Sequence, residues 1–259
     1  MDANGAAPVL EIVVPAYNEA VRLPRGLAEL GAKLAGLPFP AAVVVVDNGS
    51  TDATARIAER WSGPVPVRLV RCPTRGKGAA VRAGLLATRA PRVGFCDADM
   101  ATGLDALDGV LGLLRAGHPV VVGSRRHPAS RVEDYSHPLR RVGAIVFNLL
   151  IRDLVGGVTD TQCGFKFFDG ELARAAAAEL RTDGFAFDVE LLAACVRRGA
   201  AVTTVPVEWR DVPGSTFSVG RHSVTCLRDL TAIRLRAGRA AARAPAPRPI
   251  TEPTGAGSG

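Results

Sequence analysis

Three carboxylates stand where apolar runs stop. Asp47 closes the run Ala42-Val43-Val44-Val45-Val46, and Asp97 and Asp99 follow Val93-Gly94-Phe95-Cys96 with one alanine between them. Two carboxylates at that spacing on a strand-to-loop corner can share a hard divalent cation, which then bridges the oxygens of a substrate diphosphate. An isolated D-x-D also occurs on plain surfaces. Its position after a buried strand, with Asp47 ending another, favours the cation-binding reading. Asp47 can accept hydrogen bonds from a base edge or from ribose hydroxyls. The turn-and-cap alternative explains Ser50, Thr51 and Asp52 well but accounts for less of Asp47.

Other polar groups cluster at similar punctuation points. Pro15-Ala16-Tyr17-Asn18-Glu19 follows the first apolar run, and a tight turn there brings Tyr17 and Glu19 to the same edge as Asp47. Arg75-Gly76-Lys77-Gly78 precedes a helix, so its backbone can approach an anion while Lys77 adds charge. It is neither a Walker A loop nor a complete G-x-G-x-x-G. Gly123-Ser124-Arg125-Arg126 offers a planar guanidinium fork for phosphate, or else a solvated loop. Asp160-Thr161-Gln162-Cys163-Gly164-Phe165-Lys166 and Phe185-Ala186-Phe187-Asp188-Val189-Glu190 gather polar groups among aromatics, with an N-cap as the alternative for Asp188.

The elements that must hold these residues alternate. Strands are expected at Leu10–Val14, Ala42–Asp47, Val67–Val70, Val93–Cys96 and Val120–Val122. Helices fall between them, to about Leu34 with Pro24 in the first turn, to about Trp61, over Ala79–Leu86 and over Leu104–Leu114. Thr51 or Asp52 is the expected cap of the second helix. Repeated strand-helix-strand units of this kind argue for an α/β fold with a mainly parallel sheet covered on both faces. Ligands of such sheets bind beyond the carboxyl ends of the strands, where Asp47 and Asp97 stand. Further on, helices are expected over Leu139–Val155, Glu171–Leu180 and Asp188–Arg198, and a strand over Ala201–Glu208. The expected organisation is a flexible 1–8, a catalytic domain over 9–220, a basic amphipathic helix over 221–243 and a disordered Ala/Pro/Gly-rich tail over 244–259.

Composition narrows the classes. The 259 residues are 47% hydrophobic and only 5% aromatic, ample for the core of one large α/β domain. Five scattered cysteines form no C-x-x-C pair and no zinc spacing, so reduced buried thiols are expected. No signal peptide and no transmembrane run is visible. The net charge of +7 concentrates late, with Arg221, Arg228, Arg234, Arg236, Arg239, Arg243 and Arg248 against Asp229 and Glu252. That basic end fits an anionic leaflet or a solvated helix face. A nucleic-acid reader is disfavoured, for aromatic interleaving, zinc motifs and a reading helix are all missing.

Taken together, Pro15-Ala16-Tyr17-Asn18-Glu19, Val46-Asp47-Asn48-Gly49-Ser50-Thr51-Asp52 and Asp97-Ala98-Asp99 resemble the family 2 glycosyltransferases of the GT-A fold. The later motifs, Gly123-Ser124-Arg125, Asp160–Lys166, Phe187–Leu192, Val207-Glu208-Trp209 and Pro213-Gly214-Ser215, are similar to the dolichyl-phosphate β-glucosyltransferase branch. The resemblance implies inverting transfer of a hexose from a nucleotide sugar, UDP-glucose by preference, to a polyprenyl phosphate. It also implies a cytoplasmic enzyme, peripheral at the inner face of the plasma membrane. Donor binding would fall to Pro15, Tyr17, Glu19, Asp47, Lys77, Asp97 and Asp99, with Asp97 and Asp99 as ligands of Mg2+ or Mn2+. Acceptor binding would fall to Arg125, Gln162 and Lys166, with Arg141 a weaker candidate. Asp160 and Asp188 join Asp99 as catalytic candidates. Where some mannosyl relatives place a third polar metal ligand, this chain has Ala101. A GDP-mannose donor and a soluble hydroxyl acceptor, which would need a general base such as Asp160, Asp188 or Glu190, remain alternatives.

Overall fold

The computed structural model of the chain describes residues 6–133, 151–210, 212 and 228–237. Its first half follows the expected alternation: β1 (Leu10–Ala16), α1 (Leu23–Ala35), β2 (Ala41–Asp47), α2 (Thr54–Glu59), β3 (Val67–Arg71), α3 (Lys77–Ala87), β4 (Arg92–Cys96), α4 (Leu107–Arg115) and β5 (Val120–Ser124). The second half adds β6 (Arg131–Glu133), β7 (Phe165–Asp169), α5 (Gly170–Glu179), α6 (Phe187–Arg197), β8 (Val202–Pro206) and β9 (Glu208–Arg210). The main sheet has the order β3-β2-β1-β4-β7-β5-β8.

β1, β2, β3 and β4 run parallel, with Ala16 paired to Asp47 at the carboxyl edge. These strands read as unbroken apolar runs because helices cover both faces. On one face, Leu23, Leu27, Leu30 and Leu34 of α1 pack with Leu107, Val110 and Leu111 of α4. On the other, Ala79, Ala80 and Leu85 of α3 meet Ala173, Ala176 and Ala177 of α5 and Val189, Leu191 and Leu192 of α6. Pro24 lies in the first turn of α1 as expected, where its missing N–H has no partner to lose. The chain reverses its direction of winding at β1 and β4, so the crevice beyond their ends is the switch point where such sheets bind ligands.

The sequence reading leaves β7 unassigned, and this strand joins the two halves. It runs antiparallel to both neighbours, β4 and β5. Phe165, Phe167, Phe168 and even Lys166 are wholly buried on it. The side chain of Asp169 then accepts the N–H groups of Glu171 and Leu172, each at 3.0 Å, and caps α5. The single strand expected over 201–208 is two. β8 stays in the main sheet, and β9 leaves it to pair with β6 in a small parallel ribbon. Ser130 turns that corner, its hydroxyl accepting the Val207 N–H at 2.9 Å.

Most of the helix expected over 139–155, including Arg141, lies outside the described residues, as does the tail after 237. Within the basic helix expected over 221–243, residues 228–237 are helical, with Leu230 and Ile233 buried in the core. Arg236 turns inward to Glu190 at 2.8 Å and is not part of a solvated basic face. Among the described residues no helix is long and apolar enough to cross a membrane.

Candidate active site

The turns after β1 and β2 are built as one unit. Asn18 adopts a left-handed φ of 53°, a conformation its short amide side chain tolerates. That amide accepts the Thr51 N–H at 2.8 Å, while the Asn18 N–H donates to the Ser50 hydroxyl at 3.0 Å. Thr54 Oγ1 accepts the Glu19 N–H at 2.8 Å, and Asp52 accepts the Ala20 N–H at 3.0 Å. Asp52 also takes the Thr54 N–H at 2.9 Å. Ser50, Thr51 and Asp52 therefore stitch two loops together, and the cap expected at Thr51 or Asp52 falls instead on Ala53, which offers α2 no side-chain cap bond. Asp47 beside them is 8% exposed, and its Oδ1 accepts the Ser50 N–H at 3.2 Å. Tyr17 is 37% exposed at the same edge, with the Arg75 guanidinium 5.6 Å from its ring centre. Pro15 is held inside β1, opposite Val46.

Beyond β4 the backbone folds sharply. Met100 has a φ of 49°, and its N–H donates to the Asp97 carbonyl at 3.1 Å. A non-glycine residue in that region marks backbone held by its surroundings. Asp97 and Asp99 keep 34% and 20% of their side-chain surface open. Lys77 Nζ lies 2.5 Å from Asp97 Oδ1. Arg22 grips Glu19 through Nε and Nη2 at 2.7 and 2.5 Å, and its Nη1 reaches within 3.6 Å of Asp99 Oδ2. Buried Nη1 has no hydrogen-bond acceptor among the described residues. Arg22 is the functional residue the sequence reading missed. Its signal is the Glu19-x-x-Arg22 spacing just before Pro24.

The electrostatics set the two aspartates apart. Burial works to raise Asp97, but Lys77, Lys166 and Arg125 outweigh it and hold the carboxyl below its ordinary range. Asp99 is pushed up, by burial first and then by the charge of Asp97. Glu19 is raised by burial despite Arg22. The like charge that Asp97 sets beside Asp99 is what a divalent cation would relieve, and the donors are hard oxygens suited to Mg2+ or Mn2+. No group of three or more His, Cys, Asp or Glu side chains gathers as a metal cage among the described residues. Asp97 and Asp99 thus fit an ion whose remaining ligands are diphosphate and water.

The Arg75–Gly78 loop differs from its expected role. The N–H groups of Gly78 and Ala79 donate to the Asp183 carbonyl at 2.8 and 3.3 Å, and that of Gly76 to Asn48 Oδ1 at 2.8 Å. The backbone therefore does not offer these amides to an anion. The glycines are needed for close approach instead. Gly76 has a φ of 130°, and a Cβ at Gly78 would lie 2.6 Å from Phe187 Cβ. The loop's charge comes from side chains, Lys77 beside Asp97 and Arg75 over the Tyr17 ring.

Behind β4 the expected acceptor residues form closed pairs. Asp160 takes the Arg125 backbone N–H at 2.9 Å and its Nε and Nη2 at 2.8 Å each. Burial acts to raise Asp160, yet Arg125 prevails and the carboxyl is lowered. A carboxylate so engaged is a poor proton acceptor, so a general-base role for Asp160 is corrected to holding Arg125. Lys166 is likewise corrected from acceptor contact to internal support. Its Nζ donates to Asp188 Oδ1 at 2.7 Å and to the Cys163 carbonyl at 2.5 Å, and it sits 5.0 Å from the Phe95 ring centre with no exposed surface. Burial pushes Asp188 up against the pull of Lys166 and Lys77, and the residue is only 4% exposed. Arg125 and the half-buried Gln162 remain on the open side, with the Trp209 ring 5.8 Å from the Arg125 guanidinium.

This crevice and sheet define a class. The chain shares the fold of glucosyl-3-phosphoglycerate synthase from Mycobacterium tuberculosis in complex with UDP, at a TM-score of 0.65 and 19% identity over 89% of this chain and 80% of that one. It also shares that of mannosyl-3-phosphoglycerate synthase from Rubrobacter xylanophilus, at 0.64 and 21% over 95% and 79%. The architecture is the GT-A glycosyltransferase fold. The sequence model described as glycosyl transferase family 2 matches residues 11–173, and the chain belongs to that family. Dolichyl-phosphate beta-glucosyltransferase of Dictyostelium discoideum is 33% identical over 245 residues, which cover 88% of this chain and 74% of the relative. The human protein of the same name is 32% identical over 243 residues, covering 88% and 75%.

Proposed function

We propose that this enzyme transfers glucose from UDP-glucose to a polyprenyl phosphate with inversion, giving a β-linked polyprenyl-phosphate glucose. The observation that carries the reading is the open pair Asp97 and Asp99, faced by Lys77 and by an Arg22 nitrogen that lacks a hydrogen-bond acceptor among the described residues. The names of the relatives support the acceptor and sugar.

In this reading Asp47 and Tyr17 receive the nucleoside, the carboxylate accepting its N–H or hydroxyl groups and the ring offering a face. Lys77 meets the diphosphate, and Arg22, gripped by Glu19, keeps its buried nitrogen beside Asp99. Asp97 and Asp99 hold Mg2+ or Mn2+, which when bound neutralises the charge that builds on the leaving diphosphate. The acceptor phosphate carries a second ionisation near a pKa of about 6, so one of its oxygens attacks without a strong base. It forms the new bond to the anomeric carbon as the bond to UDP breaks and its electrons leave with the diphosphate. Arg125, fixed by Asp160, is the acceptor-side cation, with Gln162 beside it. A peripheral contact with the cytoplasmic face of a membrane belongs to the same proposal, since the acceptor is a lipid.

The test incubates purified protein with Mg2+ or Mn2+, a short-chain polyprenyl phosphate and a panel of nucleotide sugars, with detection of glycolipid by mass spectrometry. Lipid product from UDP-glucose, lost in Asp99→Ala, is expected. Product from GDP-mannose instead would replace the donor, and donor turnover only with hydroxyl acceptors would replace the lipid phosphate.

A further inference from the structure

The first turn of α6 carries two buried acids, and the reaction uses neither directly. Asp188 is paired with Lys166 inside the fold. Glu190, 5% exposed, faces a different part of the molecule. Its Oε2 accepts the backbone N–H groups of Arg181 and Thr182 at 3.1 and 2.8 Å. Its Oε1 accepts Arg236 Nη2 at 2.8 Å, from the helical segment 228–237. The same Arg236 nitrogen lies 3.3 Å from Thr182 Oγ1. One carboxylate and one guanidinium thus fix the short stretch 181–183 between α5 and α6.

That stretch is the cap of α3. The Asp183 carbonyl takes the N–H groups of Gly78 and Ala79, the residues that follow Lys77. The contact has no slack, for a Cβ at Gly78 would stand 3.0 Å from the Asp183 carbonyl carbon and 2.6 Å from Phe187 Cβ. A displacement of 182–183 is therefore transmitted to the start of α3 rather than absorbed. At that start Lys77 Nζ sits 2.5 Å from Asp97 Oδ1.

We propose that Glu190 and Arg236 are positioning residues for Lys77, so that the C-terminal helical segment is part of the construction of the donor site. The inference rests on the reading that Lys77 serves the donor diphosphate. Without Arg236 the buried Glu190 carboxylate loses its cation, a state that favours its movement toward water. That movement loosens its hold on the Arg181 and Thr182 amides, and with it the cap on α3. The fold keeps its core, because Leu230 and Ile233 still bury against it.

The test compares full-length wild type with Arg236→Ala, Arg236→Lys and Glu190→Gln. Amide hydrogen exchange is resolved over residues 76–84, beside thermal unfolding and calorimetric titration of UDP with Mn2+. Gly78 and Ala79 are expected to exchange about tenfold faster in Arg236→Ala, the shift that losing one charged hydrogen bond produces. UDP affinity is expected to fall about threefold to tenfold, and Arg236→Lys to recover most of both. Exchange in β1 and β2 stays as in wild type. Unchanged protection at 78–79 overturns the proposal, as does a uniform acceleration of all amides with a lower Tm. Should Arg236→Ala fail to fold, the near-isosteric Glu190→Gln gives the same reading. Wild type that binds no UDP contradicts the donor role itself, while exchange at 78–79 still decides whether the brace exists.

Discussion

Two sets of carboxylates stand near β4 and β7, and they are built in opposite ways. Asp97 and Asp99 keep 34% and 20% of their side chains open, stand next to one another, and meet cations at the edge of a crevice. Asp160 and Asp188 keep only 6% each, are separated by the strand, and are each matched to a cation of their own. Like charges at an opening leave an attraction for a ligand unsatisfied. Matched charges in the interior leave none, and they hold loops and strands in register. The difference separates acids that look alike in sequence into an open pair fit for a ligand and closed pairs fit to hold the fold.

The comparison breaks most visibly at Lys166. Replacing it by Ala leaves Asp188 buried without its closest cation, and unfolding free energy is expected to fall by about 3–5 kcal/mol. Chemical denaturation measures this, and the double variant Lys166→Met with Asp188→Leu is expected to recover most of the loss. On the open side, Asp99→Ala is expected to leave Tm almost unchanged. It should lower the transfer rate by about 10²–10³-fold, the scale of removing a group that stabilises developing charge.

Gly164→Ala sits between the two sides. A Cβ there would run into the Asp97 carboxylate, so a cost of about 1–3 kcal/mol and a weaker metal-dependent affinity for UDP are expected together, by denaturation and calorimetry. The acid limb of stability sharpens the closed side. The folded carboxyl of Asp160 lies below its ordinary value of 3.8. Its contribution is therefore complete above that value and is lost as pH falls through the lower folded one. Asp160→Asn is expected to be less stable than wild type at neutral pH, with the two unfolding curves converging in acid. The smallest effect belongs to Arg75→Ala. It removes an exposed cation from the Tyr17 ring and should change the KM for donor by about twofold to fivefold, in line with about 0.5–1 kcal/mol.

The open side was largely legible in the sequence. Unbroken β-branched runs that stop at Asp47 and Asp97 announce buried parallel strands with acids at their carboxyl ends, because strand burial and ligand position both follow from local pattern. The closed side was not, because partners far away in sequence decide it. Phe165-Lys166-Phe167-Phe168 hides a central strand, since a lysine in its middle argues against burial until Asp188, more than twenty residues later, supplies the counter-charge. Gly76 and Gly78 look like an anion loop until the Asp183 carbonyl takes the amides of Gly78 and Ala79 and Asn48 takes that of Gly76. The Glu19-x-x-Arg22 spacing hints at Arg22, but only the fold brings it between Glu19 and Asp99. The split of 202–210 into β8 and β9 depends on β6, whose three residues carry no pattern of their own.

Calorimetric titration of UDP into the full-length protein, with and without Mn2+ and beside Asp99→Ala, bears most directly on the contrast between open and closed acids. The account predicts binding that Mn2+ strengthens markedly in wild type and barely at all in Asp99→Ala. Equal affinity with and without the ion in both proteins, or a metal effect that survives the loss of Asp99, would contradict it.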